Sequence, residues 1–228
     1  MPSYPRKHQL SNSLVYHIFS RSNARTKIFN NEDDFRYFIK LIKEYSFKFN
    51  FKVYHWVVMP NHYHLLLELE DPCKISKFMA GLSRAYTHYH HKVYLTSGFL
   101  WQGRFKLQPV QKERYLIACG RYIERNPVVA GIVLRAQDYY YSSARFYCLG
   151  DKDGITMEDP TFVDFGNEIK LRQSAYTEFL RSFDDEAGKC FENLENPQGD
   201  KEFTRRLIKA HGRYLPRRRG RLTKRIVM

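Results

Sequence analysis

Residues 51–58 (Phe-Lys-Val-Tyr-His-Trp-Val-Val) and 62–69 both read as strands, and only Met59-Pro60-Asn61 separates them. A connection that short forces an antiparallel hairpin, because parallel neighbours need a crossover of about a dozen residues or more. Other elements flank the hairpin on both sides. Residues 13–21 are β-branched and aromatic enough for a strand. Asn31 can then cap a helix that carries Phe35, Phe38, Ile39, Ile42 and Tyr45 at helical spacing. Beyond the hairpin, Ile75, Phe78, Met79, Leu82, Tyr86 and Tyr89 form the stripe of a second helix reaching about Tyr94. Phe105 to Val110 reads as a fourth strand, and a third helix is expected from about Lys112 to Arg125, stopped by Asn126-Pro127. The order β-α-β-β-α-β followed by a helix predicts an α+β chain: a ferredoxin-like, RRM-like split βαβ sandwich with an antiparallel sheet, one face of it open.

Charge divides the chain into three parts. Residues 1–150 carry a net +12, residues 151–200 a net −8 and residues 201–228 a net +10, within a total of +14. The first part is the expected domain. The second is an acidic extension with one or two helices between Asp159 and about Glu195, and the third is a basic tail containing Arg213, Arg217, Arg218, Arg219, Arg221, Lys224 and Arg225. A basic body and tail point to a polyanionic partner, most simply nucleic acid. The N-terminus lacks the apolar stretch of a signal peptide and no run of eighteen apolar residues occurs, so no membrane partner and a cytoplasmic location are expected. Cys73, Cys119, Cys148 and Cys190 are scattered, which argues against a zinc ribbon or a disulfide framework.

His62 and His64 stand two apart on the third strand, so their imidazoles leave the same face about 6 to 7 Å apart. That arrangement suits one divalent cation, or it furnishes the polar side of a half-buried strand. On the third helix Tyr115, Cys119, Tyr122 and Asn126 share a face, flanked by Arg121 and Arg125. Tyrosines so placed are core residues or, with a cation to help the hydroxyl ionise, nucleophiles. Asn126 can end the helix or offer a metal an oxygen. His88, His90 and His91 on the second helix read more simply as a solvated or nucleic-acid-facing group than as a second metal site.

Five segments taken together resemble the HUH single-tyrosine transposases of IS200-type elements, and within them the REP-associated tyrosine transposases. They are Met59-Pro60-Asn61-His62-Tyr63-His64-Leu65-Leu66; Tyr16-His17-Ile18-Phe19-Ser20-Arg21 with Arg25 and Ile28-Phe29; Trp101-Gln102-Gly103-Arg104-Phe105; Arg121-Tyr122-Ile123-Glu124-Arg125-Asn126-Pro127-Val128; and Tyr141-Ser142-Ser143-Ala144-Arg145. The resemblance covers residues 10–150. It implies catalytic roles for Tyr122, His62 and His64, with the two histidines holding Mg2+ or Mn2+. Asn126 stands where related insertion-sequence transposases place a glutamine as third ligand.

The implied reaction is cleavage and rejoining of single-stranded hairpin DNA through a 5′-phosphotyrosine, by a monomer or homodimer. Arg21, Arg25, Arg104, Arg121 and Arg125 are the candidate phosphate contacts. Trp101 and Phe105 are candidates for base stacking or for packing. The alternative is an RRM-like nucleic-acid-binding regulator without catalysis, which shares the fold and charge but would need neither the metal pair nor the tyrosine.

Overall fold

A computed structural model describes residues 14–182, 185–192 and 197–211. The expected order is observed: β1 (Val15–Arg21), α1 (Glu32–Phe49), β2 (Phe51–Met59), β3 (His62–Leu69), α2 (Ile75–Tyr94), β4 (Lys106–Val110) and α3 (Arg114–Val129). After them come α4 (Ala144–Leu149), α5 (Ile169–Arg181), α6 (Asp185–Glu192) and α7 (Lys201–His211). The sheet runs β2-β3-β1-β4 with every pairing antiparallel, as the split βαβ arrangement requires. The tail arginines from Arg213 onward lie outside the described residues.

Helices α1 and α2 cover one face of the sheet. Asn31 caps α1 through a reciprocal capping box with Asp34, and Phe35, Phe38, Leu41 and Ile42 bury its apolar stripe against Ile18, Trp56, Val58, Tyr63 and Leu65. The opposite face, expected to be open, is covered. Leu116, Cys119 and Ile123 of α3 pack there on Val15, Val57, Leu66 and Val110, because α3 has its own apolar stripe to bury. Base stacking on the bare sheet, as an RRM platform uses it, is therefore blocked where α3 lies.

Three local features place the site. A register shift between Val53 and His55 inserts a bulge in β2. It reverses the alternation, so that Val53 faces α1 and α2 while His55 turns toward α3. Second, α3 continues past Asn126 instead of stopping at Arg125, with Pro127 inside it. Pro127 has no N–H for the Ile123 carbonyl, and Asn126 Nδ2 takes that place at 3.2 Å while also donating to the Tyr122 carbonyl at 2.9 Å. Third, both sheet edges are covered. Residues 141–143 and 156–157 bond to β2, and Gln198 bonds to β4 beside Pro109, a proline that only an edge strand tolerates.

Residues 151–182 are packed onto the same body. The Trp56 indole N–H donates to Thr156 Oγ1 at 3.0 Å, and α5 shares a core with α4 through Tyr147, Phe162, Tyr176 and Leu180. The residue-150 boundary thus falls between packed elements. Among the described residues no helix is long and apolar enough to cross a membrane.

Candidate active site

Strand parity puts His17, Phe19 and Arg21 of β1 on the same side of the sheet as His62 and His64 of β3, facing α3. Phe19 lies opposite His64 and Arg21 opposite His62. The His62 and His64 rings stand edge to face with centroids 5.3 Å apart, and the Phe19 ring packs on both, at 5.6 and 4.8 Å. The pair predicted from the strand period does form one cluster.

Behind it stands a residue that sequence reasoning did not single out. His17 is fully buried, with Nε2 2.7 Å from His64 Nδ1 and Nδ1 3.3 Å from Gln108 Oε1. The Gln108 oxygen can only accept, so it fixes the proton on His17 Nδ1. His17 Nε2 then accepts from His64 Nδ1–H, and this leaves His64 Nε2 with its lone pair available. The only sequence signal for this chain of bonds was parity: His17 shares its strand face with Arg21 and sits one diagonal step from His64.

Burial holds all these rings neutral. It pulls His17 down to about 4 against the hydrogen bond to Gln108. It pulls His62 down to about 4 as well, against a hydrogen bond to Asn126, with the Arg21 charge adding to the effect. His64 is held well below its ordinary value by burial and by the neighbouring His17 and His62. Neutral imidazole is the form that ligates metal.

Tyr122 meets this cluster from α3, in the same chain. Its ring stands edge-on to His64 at 5.8 Å and to His17 at 5.9 Å, and Phe191 of α6 packs on it at 5.7 Å. Burial first, then the charge of Glu192, raises the hydroxyl well above its ordinary value. The resting phenol is therefore protonated, and ionising it takes a cation. One turn further along α3, the Asn126 amide nitrogen is held by the Tyr122 and Ile123 carbonyls, so its oxygen is the atom that faces His62, whose Nδ1–H donates to Asn61 Oδ1 at 2.6 Å and whose Nε2 keeps its lone pair.

Among the described residues no three His, Cys, Asp or Glu side chains converge as a metal cluster. Two neutral imidazoles and an amide oxygen do converge, and that donor set fits a divalent cation which takes its remaining ligands from phosphate or water.

The candidate DNA contacts divide. Arg21 lies beside His62 and bonds to the Gln102 side chain. Arg104 is exposed, and Arg25 is exposed with its backbone in the left-handed region at φ 57° and its carbonyl accepting from Asn61 Nδ2 at 3.0 Å. Arg121 and Arg125 are engaged elsewhere. The Arg121 guanidinium lies 3.8 Å over the Phe179 ring and donates to the Phe179 carbonyl, and Arg125 donates to the Leu180 carbonyl at 2.6 Å. They satisfy the last carbonyls of α5, as cations at a helix C-terminus do.

Trp101 is a packing residue, not a stacking platform. Its ring meets Phe38, Tyr63 and Tyr86, and its N–H donates to the Thr87 hydroxyl at 3.1 Å. Phe105 packs at the margin of the same core. On α2, His90 is buried against Tyr94 and His91 is bonded to Thr96 and Gly98 at the helix end, so only His88 faces solvent as expected of the group.

A family model described as "Transposase IS200 like" matches residues 10–126, just over half of the chain. The chain belongs to the IS200-like transposase family. Among solved structures, this family member is similar to a REP-associated tyrosine transposase bound to a REP hairpin. The TM-score is 0.54 at 19% identity, covering 74% of this chain and 93% of that one, which is a likeness of fold. A candidate transposase from Deinococcus radiodurans R1 matches at a TM-score of 0.37 and 17% identity, covering 52% of this chain and 91% of that one. No curated protein matches the chain.

Proposed function

We propose that this transposase cleaves and rejoins single-stranded hairpin DNA, in the cytoplasm, with Tyr122 as nucleophile. The observation that carries this reading is the Tyr122 ring set 5.8 Å from His64, with Asn126 one turn further along the same helix and beside His62. A helix meant only to cover the sheet needs neither. In the reaction, Tyr122 Oη forms a bond to the scissile phosphorus and the P–O3′ bond breaks. The proton lost by the phenol is balanced by the one gained at the departing 3′-OH. The bond energy is kept in the phosphotyrosine, so a second 3′-OH can reverse the step without ATP.

His62, His64 and Asn126 would hold Mg2+ or Mn2+, which when bound supplies Lewis-acid polarisation of the phosphate. The chain's own part is orientation. Gln108 and His17 fix the tautomer of His64, Phe19 walls the two rings, and Arg21 beside His62 is placed to hold a phosphate oxygen, with Arg25 and Arg104 available along the backbone. The REP hairpin held by the solved protein of the same fold supports a hairpin as substrate. One chain supplies both Tyr122 and the histidines, so a monomer suffices.

The test incubates labelled hairpin DNA carrying single-stranded flanks with the protein and Mg2+ or Mn2+, and looks for a covalent adduct on a denaturing gel. Tyr122→Phe should abolish the adduct, and His62→Ala and His64→Ala should abolish it while hairpin binding persists. No adduct across a range of hairpins, or one that survives Tyr122→Phe, overturns the proposal.

A further inference from the structure

We propose that His55, gripped between Glu124 and Asp159, is a positioning residue that fixes the rotation of α3 and so seats Tyr122 against the histidine pair. This rests on Tyr122 being the nucleophile. All three side chains are fully buried. His55 Nδ1 lies 2.8 Å from Glu124 Oε1, and Nε2 lies 3.1 Å from Asp159 Oδ2. Glu124 has no slack of its own. Ser143 Oγ donates to its Oε1 at 2.6 Å and the Tyr176 hydroxyl to its Oε2 at 2.9 Å. Asp159 is held in turn by the Thr161 N–H and hydroxyl, both at 2.7 Å.

The same imidazole touches α3 a second time. A Cβ on Gly120 would come within 2.5 Å of His55 Nε2, so the helix backbone lies directly on the ring. Gly120 and Glu124 stand one turn apart and straddle Tyr122 by two residues on each side. A helix held by one ring at both points can neither roll nor slide. Without that hold, a slip of one residue displaces Tyr122 by about 1.5 Å and turns it by about 100°.

The rest of the α3–sheet contact cannot supply this, and the Arg121 and Arg125 hydrogen bonds tie α3 to α5 rather than to the sheet. Leu116, Cys119 and Ile123 meet the sheet through apolar packing, which is non-directional and tolerates rotation. Nor is a fully buried ionic cluster the cheapest way to hold a helix, since apolar side chains of similar volume often do as well. What hydrogen-bonded charges add is a defined geometry. The proposal also accounts for the Tyr141–Arg145 segment. Ser143 bonds both to Glu124 and to the β2 backbone at Trp56, tying the edge of the sheet to the nucleophile helix.

The experiment places 3-fluorotyrosine at position 122 of the full chain and records its 19F resonance. Hairpin affinity and the single-turnover rate of adduct formation at saturating hairpin are measured alongside. Glu124→Gln and Gly120→Ala should shift or split the resonance and slow adduct formation by roughly 10- to 100-fold, with hairpin affinity within about twofold. Asp159→Asn keeps most hydrogen bonds and should give a smaller change in the same direction. Leu116→Ala, which weakens the same helix–sheet contact without touching the cluster, should leave the resonance single and in place.

An unmoved resonance in folded Glu124→Gln, Gly120→Ala and Asp159→Asn overturns the proposal, as does an equal shift in Leu116→Ala. If the wild type forms no adduct, the nucleophile reading fails by itself, because the resonance still reports whether the cluster sets the Tyr122 position.

Discussion

Stability should pass through a maximum near neutral pH, and its alkaline side should belong to His55. Burial pulls this imidazole down, but the charge of Glu124 and the hydrogen bonds to Asp159 and Glu124 outweigh it and hold the group up at about 9. In the unfolded chain it titrates near 6.5. The folded state thus binds the proton more tightly. The resulting stabilisation is fully present below pH 6.5 and is lost as pH rises through 9, and a difference of that size is worth about 3 kcal/mol for a fully buried group.

His17 and His62 work in the opposite direction. Both are held at about 4, so the folded state resists their protonation, and stability is lost as pH falls from 6.5 toward 4. Denaturant unfolding measured from pH 5 to 9.5 should give a curve that declines on both sides of neutrality. Glu124→Gln removes the strongest attraction on the imidazolium, so it should lower the maximum and flatten the alkaline limb while sparing the acid one. A wild-type curve flat between pH 6.5 and 9, or an alkaline limb unchanged in Glu124→Gln, would refute the reasoning.

Breaking the bonds behind the site should act through it: Gln108→Leu or His17→Ala is expected to cost roughly 10- to 100-fold in the Mn2+ concentration needed for adduct formation, read from a metal titration. Arg21→Ala should lower the slope of log affinity against log salt by about 0.7, the share of one single-strand phosphate, whereas Arg121→Ala should leave the slope unchanged and lower the denaturation midpoint. Mixing Tyr122→Phe with His64→Ala should regenerate no adduct on the denaturing gel if, as proposed, one chain supplies both groups; recovery of activity would place the tyrosine in trans.

The elements were legible in the sequence because each follows a short-range rule. The short connection at Pro60-Asn61 fixed the hairpin, two long apolar stripes fixed α1 and α2, and a two-residue period put His62 and His64 on one face. The face shared by Tyr122 and Asn126 was readable in the same way from helical spacing. What escaped depends on register between distant segments. His17 joins the site only because Phe19 pairs with His64 across the sheet. His55 faces α3 only because a bulge reverses parity after Val53, and no residue in that strand announces it.

Trp101, read as a stacking or packing residue, and the two α3 arginines, read as phosphate contacts, have partners within the fold that short-range rules do not show. An aromatic or a cation near a DNA-binding motif looks free in sequence, yet here one fills the core under α2 and the others meet the end of a helix about sixty residues further along. Asn126-Pro127 reads as a stop signal because proline removes a helical hydrogen bond. The asparagine side chain supplies that bond, and so the helix passes through.

The central claim is that a tyrosine on α3 attacks DNA, and peptide mapping of the trapped covalent complex tests it most directly. After nuclease and protease digestion, mass spectrometry should find a nucleotide 5′-phosphate on the peptide containing Tyr122 and on no other. A modified Tyr115, Tyr63 or any other residue in place of Tyr122, or a linkage through a 3′-phosphate, would contradict the account.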